Sequence, residues 1–79
     1  MSIRSDLYVA IKNRYLSEMS EAKAVLEIYF NNPIGIGEHS QILQEMNKQL
    51  EKMSSANGKL QQLHMSFRSY DVTPEKKSK

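Results

Sequence analysis

The chain predicts an all-α fold, an antiparallel two-helix hairpin of coiled-coil type with a flexible C-terminal tail. Three observations carry this expectation. Apolar residues recur at spacings of three and four through residues 6–31 and again through 40–67, the period of a helix with one apolar face. Between these segments, Asn31–Ser40 holds one of the two prolines and two of the three glycines. The segments also match in length, about 39 and 42 Å at 1.5 Å per residue, as a hairpin requires.

In the first helix, residues 1–5 read as a short frayed lead. Ser5 is the expected N-cap, and Asp6 lies in the first turn, where a carboxylate complements the helix dipole. Tyr8, Ile11, Tyr15, Met19, Ala22, Leu26 and Tyr29 form the apolar stripe, widened by Leu7, Val25 and Phe30. Asn31 and Asn32 end it, because asparagine tolerates left-handed backbone and the residue before Pro33 avoids helical dihedrals. The turn, residues 32–39, rests on Asn32, Pro33, Gly35 and Gly37. Its glycines admit positive φ, while Ile34 and Ile36 plug the end of the core.

In the second helix, Leu43, Met46, Leu50, Met53, Asn57, Leu60, His64 and Phe67 alternate by three and four without a break, a heptad-like seam. Ile42, Ala56 and Leu63 widen it to the face a bundle needs. Asn57 and His64 are then polar seam positions, which set register or oligomeric state at some cost in stability. Gly58 costs about 1 kcal/mol relative to alanine, so residues 54–58 are the weakest part of this helix. The core or interface seam expected from both stripes comprises Tyr8, Tyr15, Leu26, Leu43, Leu50, Leu60 and Phe67. Folding about residue 35 places Tyr29 near Gln41, Tyr15 near Ser55 and Tyr8 near Gln62 or Leu63. One domain, residues 1–70, is therefore followed by a disordered basic tail, 71–79, which has little to bury and contains Pro74.

A chain of 79 residues has a small core, and two helices alone leave each stripe covered on one side only. That favours self-association, a homodimer in the simplest case, or a docked partner. There is no cysteine, so disulfides and thiolate metal sites are excluded. No apolar run approaches the ~20 residues that span a bilayer, and the N-terminus lacks a signal core, so the expectation is a soluble intracellular protein with no membrane partner.

The net charge of +2 says less than its distribution. Glu18, Glu21, Glu27, Glu38, Glu45 and Glu51 gather toward the turn. At the open end Arg4, Lys12, Arg14, Lys52, Lys59 and Arg68 face only Asp6, and Tyr8, Tyr15, Phe67 and Tyr70 lie among them. Cations that track phosphates beside rings that stack on bases are what a single-strand surface uses, so these six are the candidate nucleic-acid-binding residues. The simpler account is a dipolar hairpin whose polarity guides the packing of two copies, and the placement of Tyr8, Tyr15 and Phe67 on the seams favours it.

Nothing in the pattern points to catalysis, a cofactor, a metal or a small-molecule substrate. His39 between Glu38 and Ser40 imitates a triad in sequence only, since neighbours at a helix start do not share one side. Capping is their expected role. His39 and His64 are too far apart for a ligand pair. Gly35-Ile36-Gly37 has no strand before it and no Gly-Lys-Ser/Thr after it, so no phosphate-binding fingerprint is met. Met19, Met46, Met53 and Met65 offer pliable surface, though core filling explains the first three equally well.

The run Asn32-Pro33-Ile34-Gly35-Ile36-Gly37-Glu38-His39, followed by an amphipathic helix ending Lys59-Leu60-Gln61-Gln62-Leu63, resembles small helical-hairpin proteins of T-even-type bacteriophages and related cyanobacterial phages. The resemblance covers residues 22–63. It implies a setting in phage DNA recombination, repair or replication, residence in the host cytoplasm, and DNA or a DNA-metabolism protein as partner. It implies no helicase activity, because the chain has no nucleotide-binding motif. Two function classes follow: an accessory protein acting on nucleic acid through the basic open end, and an adaptor module acting by protein–protein contact or self-association.

Overall fold

The computed structural model describes residues 2–31 and 39–72. Helix α1 (Ile3–Asn31) and helix α2 (His39–Phe67) lie against each other as a hairpin, and a single 3-10 turn over Arg68–Tyr70 follows. The fold class is therefore the one the apolar spacing predicts. The expected turn residues Asn32, Pro33, Gly35 and Gly37, and the tail beyond Val72, lie outside the described residues.

Helix α1 begins one turn earlier than expected, and its cap is Ser2 rather than Ser5. The Ser5 backbone N–H donates to Ser2 Oγ at 3.2 Å, and the Asp6 N–H donates to the Ser2 carbonyl at 3.0 Å. Ser2 and Ser5 are three residues apart, so either can begin a helix. The earlier start gives the seam a further position, and Ser5 is buried there. Residues 3–5 are accordingly helix rather than a frayed lead.

The inward face of α1 runs through Ser5, Tyr8, Ala22 and Leu26, with Tyr15, Met19 and Tyr29 half-buried. This is the predicted stripe with three exceptions, two of which are Leu7 and Phe30, expected to widen it but 63% and 70% exposed because they lie on the outer sides of the helix. Ile11 is 38% exposed beside the seam, and half-buried Lys12 takes the seam position instead. Helix α2 departs further. Its inward face comprises Ile42, Met46, Gln49, Met53, Ala56, Leu60 and Leu63. Leu43, Leu50 and Phe67, expected in the core, are 66%, 54% and 49% exposed, and Asn57 and His64 are exposed as well. The helix is turned by one residue from the predicted seam. Met46, Met53 and Leu60 belong to both versions, so the three-four spacing alone does not distinguish them.

Ala22 and Ala56 have no accessible surface, so small side chains fill the seam at mid-hairpin. Among the described residues no large side chain is fully buried, so the core is thin for its length. Two cross-helix contacts fix the antiparallel arrangement. Lys52 Nζ donates to Glu21 Oε1, and Lys59 Nζ stands 5.4 Å from the centre of the Tyr15 ring. Both agree with the predicted register to within one helical turn.

The open end is fastened. After α2 the 3-10 turn stacks Tyr70 on Phe67, ring centres 6.1 Å apart, and sets Tyr70 under Arg4, whose Cζ is 5.6 Å from the ring centre. The Asp71 N–H closes the turn onto the Arg68 carbonyl at 3.0 Å, and Asp71 Oδ2 accepts from Lys12 Nζ at 3.0 Å. The expected tail therefore starts at least two residues too early: a carboxylate beside a half-buried ammonium holds the chain to α1.

Candidate interaction surfaces

The inward face divides the hairpin into two flanks. Residues one position beyond the seam in each helix share a side, because the helices run antiparallel. On one flank these are Val9, Leu16, Lys23 and Phe30 of α1 with Leu43, Leu50, Asn57 and His64 of α2. Leu16 is 43% and Phe30 70% exposed, so with Leu43 and Leu50 they form an apolar strip along the middle and the turn end. The half-buried Met19, Met46, Met53 and Leu60 show between its two edges. Thioether side chains there adapt readily to an incoming surface.

The other flank is grooved. A hollow of about 520 Å³ lies at the open end between Leu7, Tyr8 and Ile11 of α1 and Leu63, Phe67 and Tyr70 at the far end of the chain. Arg4 and Arg14 stand at its edges. A second hollow of about 580 Å³ continues it toward the middle, past Tyr15, Lys59, Ser55 and Gly58. The two share Ile11, Leu63 and Phe67 and form one trough.

The six cations singled out in the sequence do not form one surface. Lys12 is held by Asp71, and Arg14 Nε is 3.6 Å from Glu18 Oε2 one turn along α1. Lys52 lies at mid-hairpin rather than the open end and is paired with Glu21. That contact holds the Glu21 carboxyl below the usual carboxylate range, through the hydrogen bond first and the ammonium's charge second. Arg4 and Lys59 lie over the Tyr70 and Tyr15 rings, and Arg68 is exposed in the 3-10 turn. The expectation that only Asp6 faces these cations is corrected: Asp71, Glu18 and Glu21 each meet one of them. Asp71 was hidden because sequence reasoning placed it in a tail.

The seam also holds a polar group the periodicity did not single out. Gln49 is half-buried on the inward face, and no described group bonds to its buried Oε1. Asn57 and His64, the polar seam residues expected to set register, point outward instead. Among the described residues no group of three metal-ligating side chains comes together, and no helix is long and apolar enough to cross a membrane. Comparison with protein families, curated proteins and solved structures finds no match for the chain.

Proposed function

We propose that this chain is a non-catalytic assembly module, a hairpin that pairs with a second copy through its apolar flank to form a four-helix bundle. The observation that supports this is the exposure of Leu16, Phe30, Leu43 and Leu50 on a hairpin with no large fully buried side chain among the described residues. Bundles of four helices cover such strips, and exposed apolar patches of this kind mark contact surfaces.

The charge distribution supports a head-to-tail arrangement. The turn half, residues 17–31 and 39–54, carries five glutamates and three lysines, so 3 − 5 leaves −2. The open half, residues 2–16 and 55–72, carries five lysines and arginines and two aspartates, so 5 − 2 leaves +3. Two copies laid turn end to open end set opposite charges side by side, whereas a parallel pair opposes like with like. Light scattering across a concentration series should give twice the chain mass. The double variant Leu43→Gln, Leu50→Gln should be monomeric and equally helical. A wild-type chain that stays monomeric at millimolar concentration would sink this reading.

A second reading keeps the chain as an accessory protein of phage DNA metabolism in the host cytoplasm. The contacts of Arg4 with Tyr70 and of Lys59 with Tyr15 favour it, since cations beside rings suit single strands. The resemblance of residues 32–39 to the phage hairpin proteins adds to it. Labelled single- and double-stranded DNA titrated at two salt concentrations tests it. Binding that weakens steeply with salt, and that is lost on changing Arg4, Arg14, Lys59 and Arg68 to alanine, is the expected result. No binding at low salt removes this reading.

A further inference from the structure

We infer that the trough on the other flank is a docking site for an acidic amphipathic helix of a partner protein. This does not rest on self-pairing, which uses the opposite flank and leaves the trough open. Along α2 the trough runs from Ser54 to Phe67 and on to Tyr70, roughly 24 Å at 1.5 Å per residue. That is the length of about four helical turns, room enough for the i, i+3, i+4 and i+7 anchors of a helix seated in a groove.

Its chemistry is one-sided. Tyr8, Ile11, Leu63 and Phe67 give it a carbon floor, and every charged residue lining it is a cation: Arg4 and Lys59, which lie over tyrosine rings, and Arg14, which also meets Glu18. A helix with leucines on one face and glutamates at the margins matches both features. A nucleic acid strand would meet three cations and stack on the Tyr8 and Phe67 rings, but would leave the aliphatic Ile11 and Leu63 without a partner.

Gly58 supplies an independent argument. It sits inside α2, where glycine is unfavourable, yet a Cβ added there would meet nothing within 4 Å. The hairpin's own packing therefore has no need of a glycine. A bare backbone at the trough wall lets a second helix approach closely, and any side chain at 58 would project into the space that helix occupies.

The test is fluorescence anisotropy on the full chain with three probes: a labelled 16-residue amphipathic peptide with leucine and glutamate faces, the same peptide with lysine for glutamate, and a single-stranded oligonucleotide. The acidic peptide should bind at least tenfold more tightly than the basic one and than the oligonucleotide. Gly58→Gln should weaken that binding at least tenfold while raising the thermal midpoint, and Leu43→Gln with Leu50→Gln should leave it unchanged. Equal binding of both peptides, no binding of the acidic one, or tighter binding of the oligonucleotide would overturn the inference. So would a Gly58→Gln variant of unchanged affinity, or a loss of binding with the Leu43 and Leu50 changes, which would place the peptide on the self-pairing flank.

Discussion

Two neighbouring strips of α2 have the same spacing and opposite environments. Ile42, Gln49, Ala56 and Leu63 face α1, while Leu43, Leu50, Asn57 and His64, each one residue further on, lie on the flank. Either strip, combined with Met46, Met53 and Leu60, gives an unbroken alternation of three and four. Periodicity establishes that the helix has an apolar face and leaves open which of two adjacent rotations meets the partner. Two local properties decide it. The inward strip contains one polar side chain and the outward strip two, and burying a polar group without partners costs more than leaving it wet. The inward strip also contains Ala56, whose small side chain fits a seam position with no accessible surface.

The comparison breaks most directly at residues 56 and 57. Leucine at position 56 should overfill a fully buried seam position and cost about 1–3 kcal/mol. Asn57→Leu, on the flank, should change monomer stability by less than about 0.5 kcal/mol and strengthen self-association. In a domain this small about 1 kcal/mol moves the melting midpoint by about 4–8 °C, so thermal circular dichroism at low concentration separates the two. If position 57 is the sensitive one, α2 is rotated as the spacing first suggested.

A smaller effect is expected at Gln49. Its Oε1 is buried, and no described group bonds to it, so the side chain has lost water without full replacement. Gln49→Leu should raise stability by about 1 kcal/mol in a denaturant melt, with the hairpin otherwise unchanged. A fall in stability would mean that the amide has a partner beyond the described residues and defines the seam as polar seam residues do in coiled coils.

Much of the fold was legible because helix period and breaker residues are local signals. The two helices, their ends to within a turn, their antiparallel sense and the α1 stripe followed from them. The rotation of α2 was missed because the three-four spacing fits both strips equally, although the extra polar group on the outward strip and the small Ala56 on the inward one both stand in the sequence. The fastening of the open end was missed because Asp71 looks like the start of a tail until Lys12 is brought beside it by the return of the chain. The candidate surface was half legible. Leu43 and Leu50 were expected in the core or interface seam and lie exposed on the flank instead, whereas Leu16, two heptads before Phe30 on the same side of α1, carried a signal that the stronger stripe beside it obscured. The six cations were identified by sign, but side-chain pairing depends on distances that sequence does not contain.

The smallest expected effect concerns Glu21 and Lys52, the one ion pair among the described residues that joins α1 to α2. Because the Glu21 carboxyl is held below its ordinary range, the folded state favours its ionised form. The pair's contribution is therefore full above the carboxyl's ordinary, unfolded-state range and is lost as pH falls through the lower folded-state value. A cycle of Glu21→Gln, Lys52→Met and the double variant isolates that coupling from what each side chain does alone. At neutral pH and low salt the coupling should be measurable and favourable. It should shrink with added salt, as exposed pairs do, and vanish in acid. A coupling that persists in acid would mean that the two side chains interact through the packing of their stems rather than through charge. The contact would then belong with Ala22 and Ala56 as part of how the helices fit, and the groove flank would hold its shape at any pH.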